Sequence, residues 1–451
     1  MNLHALLATR SEESGPVRVG VIGAGKFASM FLTQASVSPL LHVVGVADLD
    51  VPKARAAMNR TGWTAERYAA VGLDEAARTG ATAVIDDAMA LIAHPAVEVV
   101  LEITGNPLAG TAHAVAAIDN GKHVIMVNVE ADCMVGPLLQ RRAREAGVVY
   151  SMAYGDQPAL ICELVDWCRT VGFDVVAAGK GTKYLPEYHK STPDTVWDHY
   201  GFTEEQLASG DFNPKMFNSF LDGTKSAIEM AAVANGTGLE PQADGLSFPP
   251  AGVDDLPHVF RPVEDGGSLS RRGTVEIASS LHRDGSEVER DLRWGVYVTF
   301  EARTDYAAQC FAEYGVRTDV SGRYASLYRP YHMIGLELGV SIASAVLRGE
   351  PTGAPTQFCG DVVSVAKRAL AAGETLDGEG GYTVYGALRP AAESLRAEAL
   401  PLGLAHGARL LHDVAEGAVI GWRDVQLDET LEAVRIRKAL EAEFRRDAAL
   451  A

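Results

Sequence analysis

Two sets of residues in this chain have the types and the spacing to do chemistry. The first is a glycine turn, Gly23-Ala24-Gly25-Lys26-Phe27-Ala28, set between an apolar run that begins at Val17 and a helical stretch. A second apolar run, Val43-Val44-Gly45-Val46-Ala47, follows and stops at Asp48. Strand, glycine turn, helix, strand and acid are the parts that hold a dinucleotide. Gly23 permits the tight turn. Gly25 lets the backbone approach a pyrophosphate, and Ala28 lets the helix pack close to the strand. Lys26 and Phe27 open that helix, whose unpaired N–H groups and positive dipole end suit phosphates. Asp48, at the tip of the second strand, is placed to accept hydrogen bonds from ribose hydroxyls. The competing reading is a tight strand-to-helix turn in some other α/β protein.

The second set is a group of lysines and carboxylates. Lys180 and Lys183 lie in Gly179-Lys180-Gly181-Thr182-Lys183, which reads as a glycine-rich turn after a strand over 174–178. Two ammoniums there can hold a carboxylate or phosphate, or one can polarise a carbonyl. Asp222, Lys225 and Glu229 fall at i, i+3 and i+7 of a helix expected over 218–236, so they would share one face. A buried lysine beside a carboxylate can be tuned for proton transfer, which hydride transfer needs at the reacting oxygen. Asp156, expected at a strand tip, suits a substrate or metal contact, and His332 in Arg329-Pro330-Tyr331-His332 suits a substrate or acid–base contact. Each has an ordinary alternative: a solvated lysine, a surface salt bridge, a helix N-cap at Asp156 and a packed histidine.

The elements that must position these groups are those of an α/β protein. Strand and helix patterns alternate through residue 153, which predicts a doubly wound, mostly parallel Rossmann-type sheet. In such a sheet the C-terminal strand tips line the ligand crevice. That puts Thr104, Gly105 and Asn106 near a nicotinamide, and Asn128 and Glu130 near its ribose. The expected division is a dinucleotide-binding domain over 1–155, an α+β substrate domain over 156–352 whose last helices rejoin the sheet, a small β-rich domain over 353–430 and a terminal helix over 431–451. Further expectations are a short helix over 2–10, a helical segment from 48 to about 93 with an insertion near 69–82, an irregular stretch over 184–214, a helix carrying Glu337, and a strand over 361–366.

Composition narrows the function. With 40 Lys and Arg against 59 Asp and Glu, the net charge is −19, which argues against nucleic-acid binding. A local lysine cluster still leaves room for a small anionic substrate. Cys133, Cys162, Cys168, Cys310 and Cys359 have no zinc-ribbon or C-x-x-C spacing and read as reduced thiols of a cytoplasmic protein. No run of about 18 apolar residues suggests a membrane span, and the N-terminus does not read as a signal peptide. His189, His199 and His258 lack metal-ligand spacing. A Mg²⁺ or Mn²⁺ held mainly by substrate oxygens, with one or two of Asp156, Asp222 and Glu229, is the remaining metal option.

On these motifs the chain resembles the homoserine-dehydrogenase-like NAD(P)-dependent oxidoreductases that carry a C-terminal SAF domain. The resemblance runs along nearly the whole chain. It rests on 121–132 (GKHVIMVNVEAD), Gly155-Asp156 with Pro158, Gly179-Lys180-Gly181, Asp222-Gly223 with Lys225, and Arg329–His332. It implies an enzyme acting on CH–OH groups of a small polyhydroxylated acid or sugar phosphate, with an SAF-like C-terminal domain and a homo-oligomeric state. Asp222 and Lys225 resemble the Asp and Lys that homoserine dehydrogenases use at the reacting hydroxyl, and homoserine dehydrogenase is itself an alternative. One branch of the family is a 1-deoxyxylulose 5-phosphate reductoisomerase-like enzyme using NADPH and a divalent metal, so a reductoisomerase is another. A non-catalytic dinucleotide or sugar sensor is the rival outside enzymes. The chain departs from that branch over 182–189 and at Asp48, where an NADPH enzyme would carry Arg or Ser. A carboxylate there repels a 2′-phosphate and favours NAD over NADP, with Lys53 and Arg55 partly offsetting it. NADH should therefore titrate more tightly than NADPH by fluorescence. Asp48→Ser should narrow that gap by about tenfold, roughly 1.4 kcal/mol; an unchanged ratio would remove Asp48 as its cause.

Overall fold

The computed structural model describes residues 2–209 and 212–450. The chain forms two compact units, residues 1–160 with 332–356 and residues 161–331 with 357–451.

In the first unit, β1 (Val17–Ile22), β2 (Leu41–Ala47), β3 (Ala83–Ile85), β4 (Val99–Glu102), β5 (His123–Met126) and β6 (Tyr150–Met152) form one sheet in the order β3-β2-β1-β4-β5-β6. Every pairing in it is parallel. Parallel strands are covered on both faces and so read as nearly continuous apolar runs; in β1 all residues but Arg18 are buried. β3 was not expected, because the stretch up to residue 93 reads as helical. Its three residues pair with β2, and so short a run leaves no periodic signal. The first helix is longer than expected, Leu3–Ser14. Leu7 packs against the sheet's core and Arg10 reaches Glu98 at 3.0 Å.

The sheet is completed from far along the chain. The helix Gly339–Arg348 and the residues after it belong to this unit. Ser341 Oγ accepts from the Tyr154 N–H at 2.8 Å, and the Met152 N–H donates to Gly353 O at 2.8 Å. The helix starts after Glu337, which lies in the preceding loop rather than on the helix as expected.

The second unit centres on β7 (Asp174–Thr182). It pairs in parallel with β8 (Thr274–Ser279) and antiparallel with β9 (Val296–Glu301), which pairs with β10 (Tyr324–Arg329). The glycine-rich turn expected at 179–183 is corrected here: Gly179, Lys180 and Gly181 lie inside β7. The glycines serve close strand approach. A Cβ at 179 would fall 1.8 Å from Glu276 O, and one at 181 would fall 1.9 Å from Leu292 O. The long helix expected over 218–236 is two helices, Pro214–Leu221 and Thr224–Thr237, broken at Gly223 with φ +85°.

The C-terminal stretch of this unit carries β11 (Gly360–Ala366) paired antiparallel with β12 (Val384–Pro390). The final helix, Glu432–Leu450, is anchored by Arg437, which is fully buried. Its guanidinium grips Asp361 with both arms, at 2.9 and 2.5 Å, and donates through Nε to Glu441 at 2.8 Å. Removing one member of such a group strands a buried charge. Arg437→Ala should cost about 3–5 kcal/mol in urea unfolding; a loss below about 1 kcal/mol, the ceiling for exposed pairs, would show that this anchor is not needed.

Candidate active site

The two glycines of the first turn are there for different reasons. Gly23 has φ +96°, and a Cβ on it would lie 2.9 Å from Ile103 O, so the fold itself requires glycine. Gly25 has φ −75°, and nothing lies within 4 Å of where its Cβ would be. Neither backbone conformation nor packing demands glycine at 25. A ligand pressed against the turn would, and a pyrophosphate fits that description. Gly25 precedes the helix Lys26–Ala35, which has no side-chain cap, and Lys26 is exposed at its first position. Asp48 is fixed against the same turn. Its Oδ2 accepts from the Ala24 N–H at 2.7 Å and its Oδ1 from the Asp50 N–H at 2.9 Å.

The loop that follows His332 also reaches this turn. Gly335 has φ +70°, and a Cβ on it would lie 2.5 Å from Phe27 O. A Cβ on Gly155 would lie 2.8 Å from Met333 O. The loop therefore runs from the first turn of the Lys26–Ala35 helix to the turn beyond β6, with half-buried His332 at its start.

Thr104, Asn106 and Asn128 come together at the tips of β4 and β5. Thr104 donates to Glu102 Oε1 at 2.6 Å, and His113 Nδ1 lies 3.1 Å from the same oxygen. Asn128 Nδ2 donates to Asn106 O at 2.9 Å, while its Oδ1 accepts from the Ala131 N–H at 3.1 Å. Asn106 caps the helix Pro107–Asp119 through the Leu108 and Ala109 N–H groups. These side chains fasten the strand tips, and Gly105 between them has open space beside it. Glu130 is buried in the first turn of the helix Val129–Glu145. Asp156 precedes the helix Gln157–Thr170, its Oδ1 accepting from the Gln157 N–H at 2.9 Å.

In the second unit Lys180 points from β7 into a buried ion pair with Glu229, both side chains being 3% exposed. Lys225 is half-buried and sits one helical turn before Glu229 on the same helix, so the two share a face. Asp222 does not join them. The break at Gly223 takes it off that helix, and its carboxylate lies 2.7 Å from Lys367 Nζ and accepts from the Thr224 N–H at 2.9 Å. The expected pairing of Asp222 with Lys225 is thus replaced by a pairing with Lys367. Burial raises the Asp222 carboxyl above its usual range, and Lys367 works against that rise. Lys183 is committed elsewhere, donating to His199 O at 2.5 Å. Burial, with Arg293 nearby, lowers its pKa.

Two participants had no signal in the sequence. Lys367 also donates to Ser191 O at 2.7 Å and Gly381 O at 2.8 Å. His189 places Nδ1 2.7 Å from Asp222 O and Nε2 2.9 Å from the Tyr184 hydroxyl, and stacks on Tyr385 at 4.6 Å. Burial lowers the His189 pKa and lifts the Tyr184 hydroxyl to about 12. A neutral His189 that donates from Nδ1 to the carbonyl and accepts at Nε2 from Tyr184 satisfies both contacts. As for a metal, no group of three or more His, Cys, Asp or Glu converges for one among the described residues. Two of the three carboxylates considered for Mg²⁺ or Mn²⁺, Asp222 and Glu229, are paired with lysines.

Comparison with known proteins agrees with this division of labour. Residues 17–127 match the oxidoreductase family with NAD-binding Rossmann fold (GFO/IDH/MocA). Residues 155–338 match the catalytic domain of oxidoreductase DRL. Both matched segments belong to oxidoreductase families. The first matched segment lies within the unit that holds the parallel sheet, and most of the second lies within the other unit. No curated protein matches it by sequence. Among solved structures it is similar to a point mutant of the 3-ketoreductase KijD10 of Actinomadura kijaniata in complex with TDP-benzene and NADP (19% identity, 38% of this chain and 50% of that one, TM-score 0.26). It is also similar to yvaA of Bacillus subtilis (13%, 74% and 89%, TM-score 0.38) and to the myo-inositol dehydrogenase of Lactobacillus casei with NAD(H) and myo-inositol (19%, 40% and 50%, TM-score 0.27). The chain thus spans half the length of the ketoreductase and of the inositol dehydrogenase, and none of these similarities transfers a substrate. Among the described residues no helix is long and apolar enough to cross a membrane.

If Gly25 is glycine for the ligand's sake, Gly25→Ala should leave thermal stability unchanged while weakening NADH binding at least tenfold. A stability loss with unchanged affinity would mean that the turn needs glycine for itself.

Proposed function

We propose that the chain transfers a hydride between a nicotinamide cofactor, NAD rather than NADP, and a small anionic, polyhydroxylated substrate such as a sugar acid or sugar phosphate. The observation that carries this reading is the placement of half-buried Lys225 one turn from the buried Lys180–Glu229 pair, inside the segment matched to an oxidoreductase catalytic domain. When bound, the nicotinamide supplies or accepts the hydride. Lys225 acts at the substrate oxygen, giving or taking its proton. Glu229 holds Lys180 behind it, so the two ammoniums of this face have separate tasks. Lys225 is half-buried, and Lys180 is buried in its ion pair. Lys225 also supplies positive charge for an anionic substrate in a chain of net charge −19. Gly25, Lys26 and the uncapped helix start serve the pyrophosphate, and Asp48 serves the adenosine ribose. His332, on the loop beside the glycine turn, serves the substrate end.

The two lysines should separate on mutation. Lys225→Ala should keep its fold and its NADH affinity and lower kcat by about 10²–10⁴. Lys180→Met leaves Glu229 buried without its partner and should lower stability by about 3–5 kcal/mol. The assay is NAD⁺ or NADP⁺ reduction across sugar acids, sugar phosphates and amino-alcohol acids. Including 1-deoxyxylulose 5-phosphate with NADPH separates a reductoisomerase, whose product has a rearranged carbon skeleton, from a simple dehydrogenase. Binding of NADH without turnover on any of these would favour a sensor, and failure to bind either cofactor would defeat the reading.

A further inference from the structure

We propose that Lys183 and Arg293, with Tyr200 beside them, bind the phosphate group of a phosphorylated substrate. The lysine expected to share this task, Lys180, is spent on Glu229, and the structure supplies an arginine in its place. Arg293 lies in a turn over 292–295, where the Gly295 N–H donates to Leu292 O at 2.8 Å. That turn is locked against the end of β7. The Gly181 N–H donates to Gly295 O at 3.1 Å, and a Cβ on Gly181 would lie 2.8 Å from the Arg293 nitrogen. Lys183 follows just beyond β7. Its Nζ donates to His199 O at 2.5 Å and lies 6.0 Å from the centre of the Tyr200 ring. His199 and Tyr200 end the short helix Val196–Tyr200. An ammonium has three donors, so this lysine keeps two to spare among the described residues. The Arg293 guanidinium lies over the Trp294 ring, 4.9 Å from its centre, and makes no hydrogen bond or ion pair among the described residues.

Lys183, Arg293 and Tyr200 are all half-buried, and they feel one another's charge. Arg293 adds to the burial that lowers the Lys183 pKa, and it opposes the burial that lifts the Tyr200 hydroxyl to about 12. Tyr200 therefore stays a donor. The nearby acids leave the two cations unanswered. Glu287 attracts Lys183 from an exposed position without an ion pair, and Asp291 spends Oδ1 on the Arg293 N–H at 2.7 Å. Asp222 acts on Tyr200, but it is paired with Lys367. Two like charges drawn partly out of water without a counter-charge are costly. A carboxylate would answer one of them. A phosphate monoester carries close to two negative charges near neutral pH and three strong acceptor oxygens, which suits two cations and a phenol. Arginine meets phosphate oxygens with its planar fork, and lysine meets them as a point charge. In a chain of net charge −19, such a local surplus of cations is what draws an anion in. The inference rests on the proposed reaction only in calling the ligand a substrate.

Inorganic phosphate is the probe of the site. With NADH in excess to occupy the glycine turn, phosphorus NMR line broadening and thermal shift should both report phosphate binding to the full-length protein. Arg293→Gln should weaken that binding by about tenfold or more. It should leave NADH affinity and the phosphate-free Tm unchanged, because the guanidinium holds no protein acceptor. Arg293→Lys should recover part of the loss, and Lys183→Met should weaken binding as Arg293→Gln does, standing in for it should that variant fail to fold. Acetate should compete poorly. No phosphate binding by wild type, equal binding by wild type and Arg293→Gln, or acetate as effective as phosphate would overturn the proposal. Displacement of phosphate by sugar phosphates, lost in Arg293→Gln, would support the assignment to a substrate; better displacement by the matching sugar acids would overturn it. Because these titrations need no turnover, a protein that binds phosphate here yet oxidises or reduces nothing would defeat the proposed reaction and leave the site standing.

Discussion

The second unit turns on one buried ammonium. Lys367 faces the Asp222 carboxylate and the carbonyl oxygens of Ser191 and Gly381. A lysine out of water is tolerable only when its donors are answered, and here the answers come from three separate stretches of chain. The irregular segment near 191, the break at 222–224 and the loop at 381 are therefore ordered together or not at all. Neighbouring contacts extend the same knot. His189 bridges Asp222 O and Tyr385, and the Gly386 N–H donates to Thr224 Oγ1 at 2.8 Å. The start of the helix bearing Lys225 and Glu229 is thus set by residues some 150 positions later, and the C-terminal β-rich stretch is part of what orients the lysine face.

How much of this could be read from the residues depends on how local the information is. The nucleotide fold is written in short periods, and the apolar runs, the glycine turn and the acid after β2 all fall where the structure has them. β3 escaped because three residues carry no period. Gly179 and Gly181 misled because glycine serves both a turn and a crowded strand, and only the carbonyls of Glu276 and Leu292 tell which. Asp222-Gly223 sat in a helical pattern strong enough to hide the break that Gly223 makes. The pairing of Asp222 with Lys367 spans 145 positions, and no spacing rule reaches that far. Of the lysine and carboxylate set, Lys225 and Glu229 keep their shared face and Lys180 pairs with Glu229, whereas Lys183 and Asp222 go elsewhere, and which lysine is buried was not legible.

The nucleotide unit shows how a motif divides its labour between fold and ligand. Gly23 is held to glycine by the Ile103 carbonyl, whereas Gly25 faces open space. Asp48 is tied by two backbone N–H groups, which fix its carboxylate while leaving it acceptor capacity. Around β4 and β5 the polar side chains are spent on each other, so the strand tips form a rigid rim. The open space along that rim lies beside backbone at Gly105, as it does at Gly25 on the turn after β1.

The return of residues 332–356 to the first sheet has a consequence for synthesis. The nucleotide unit is discontinuous, and its closing helix emerges only after residues 161–331 of the second unit have been made. At about 5–20 residues per second, the roughly 200 residues between Leu160 and Thr356 take about 10–40 s to translate. During that time the Met152 N–H and the Tyr154 N–H lack the partners they find in Gly353 and Ser341. The nascent sheet must wait with its β6 edge open.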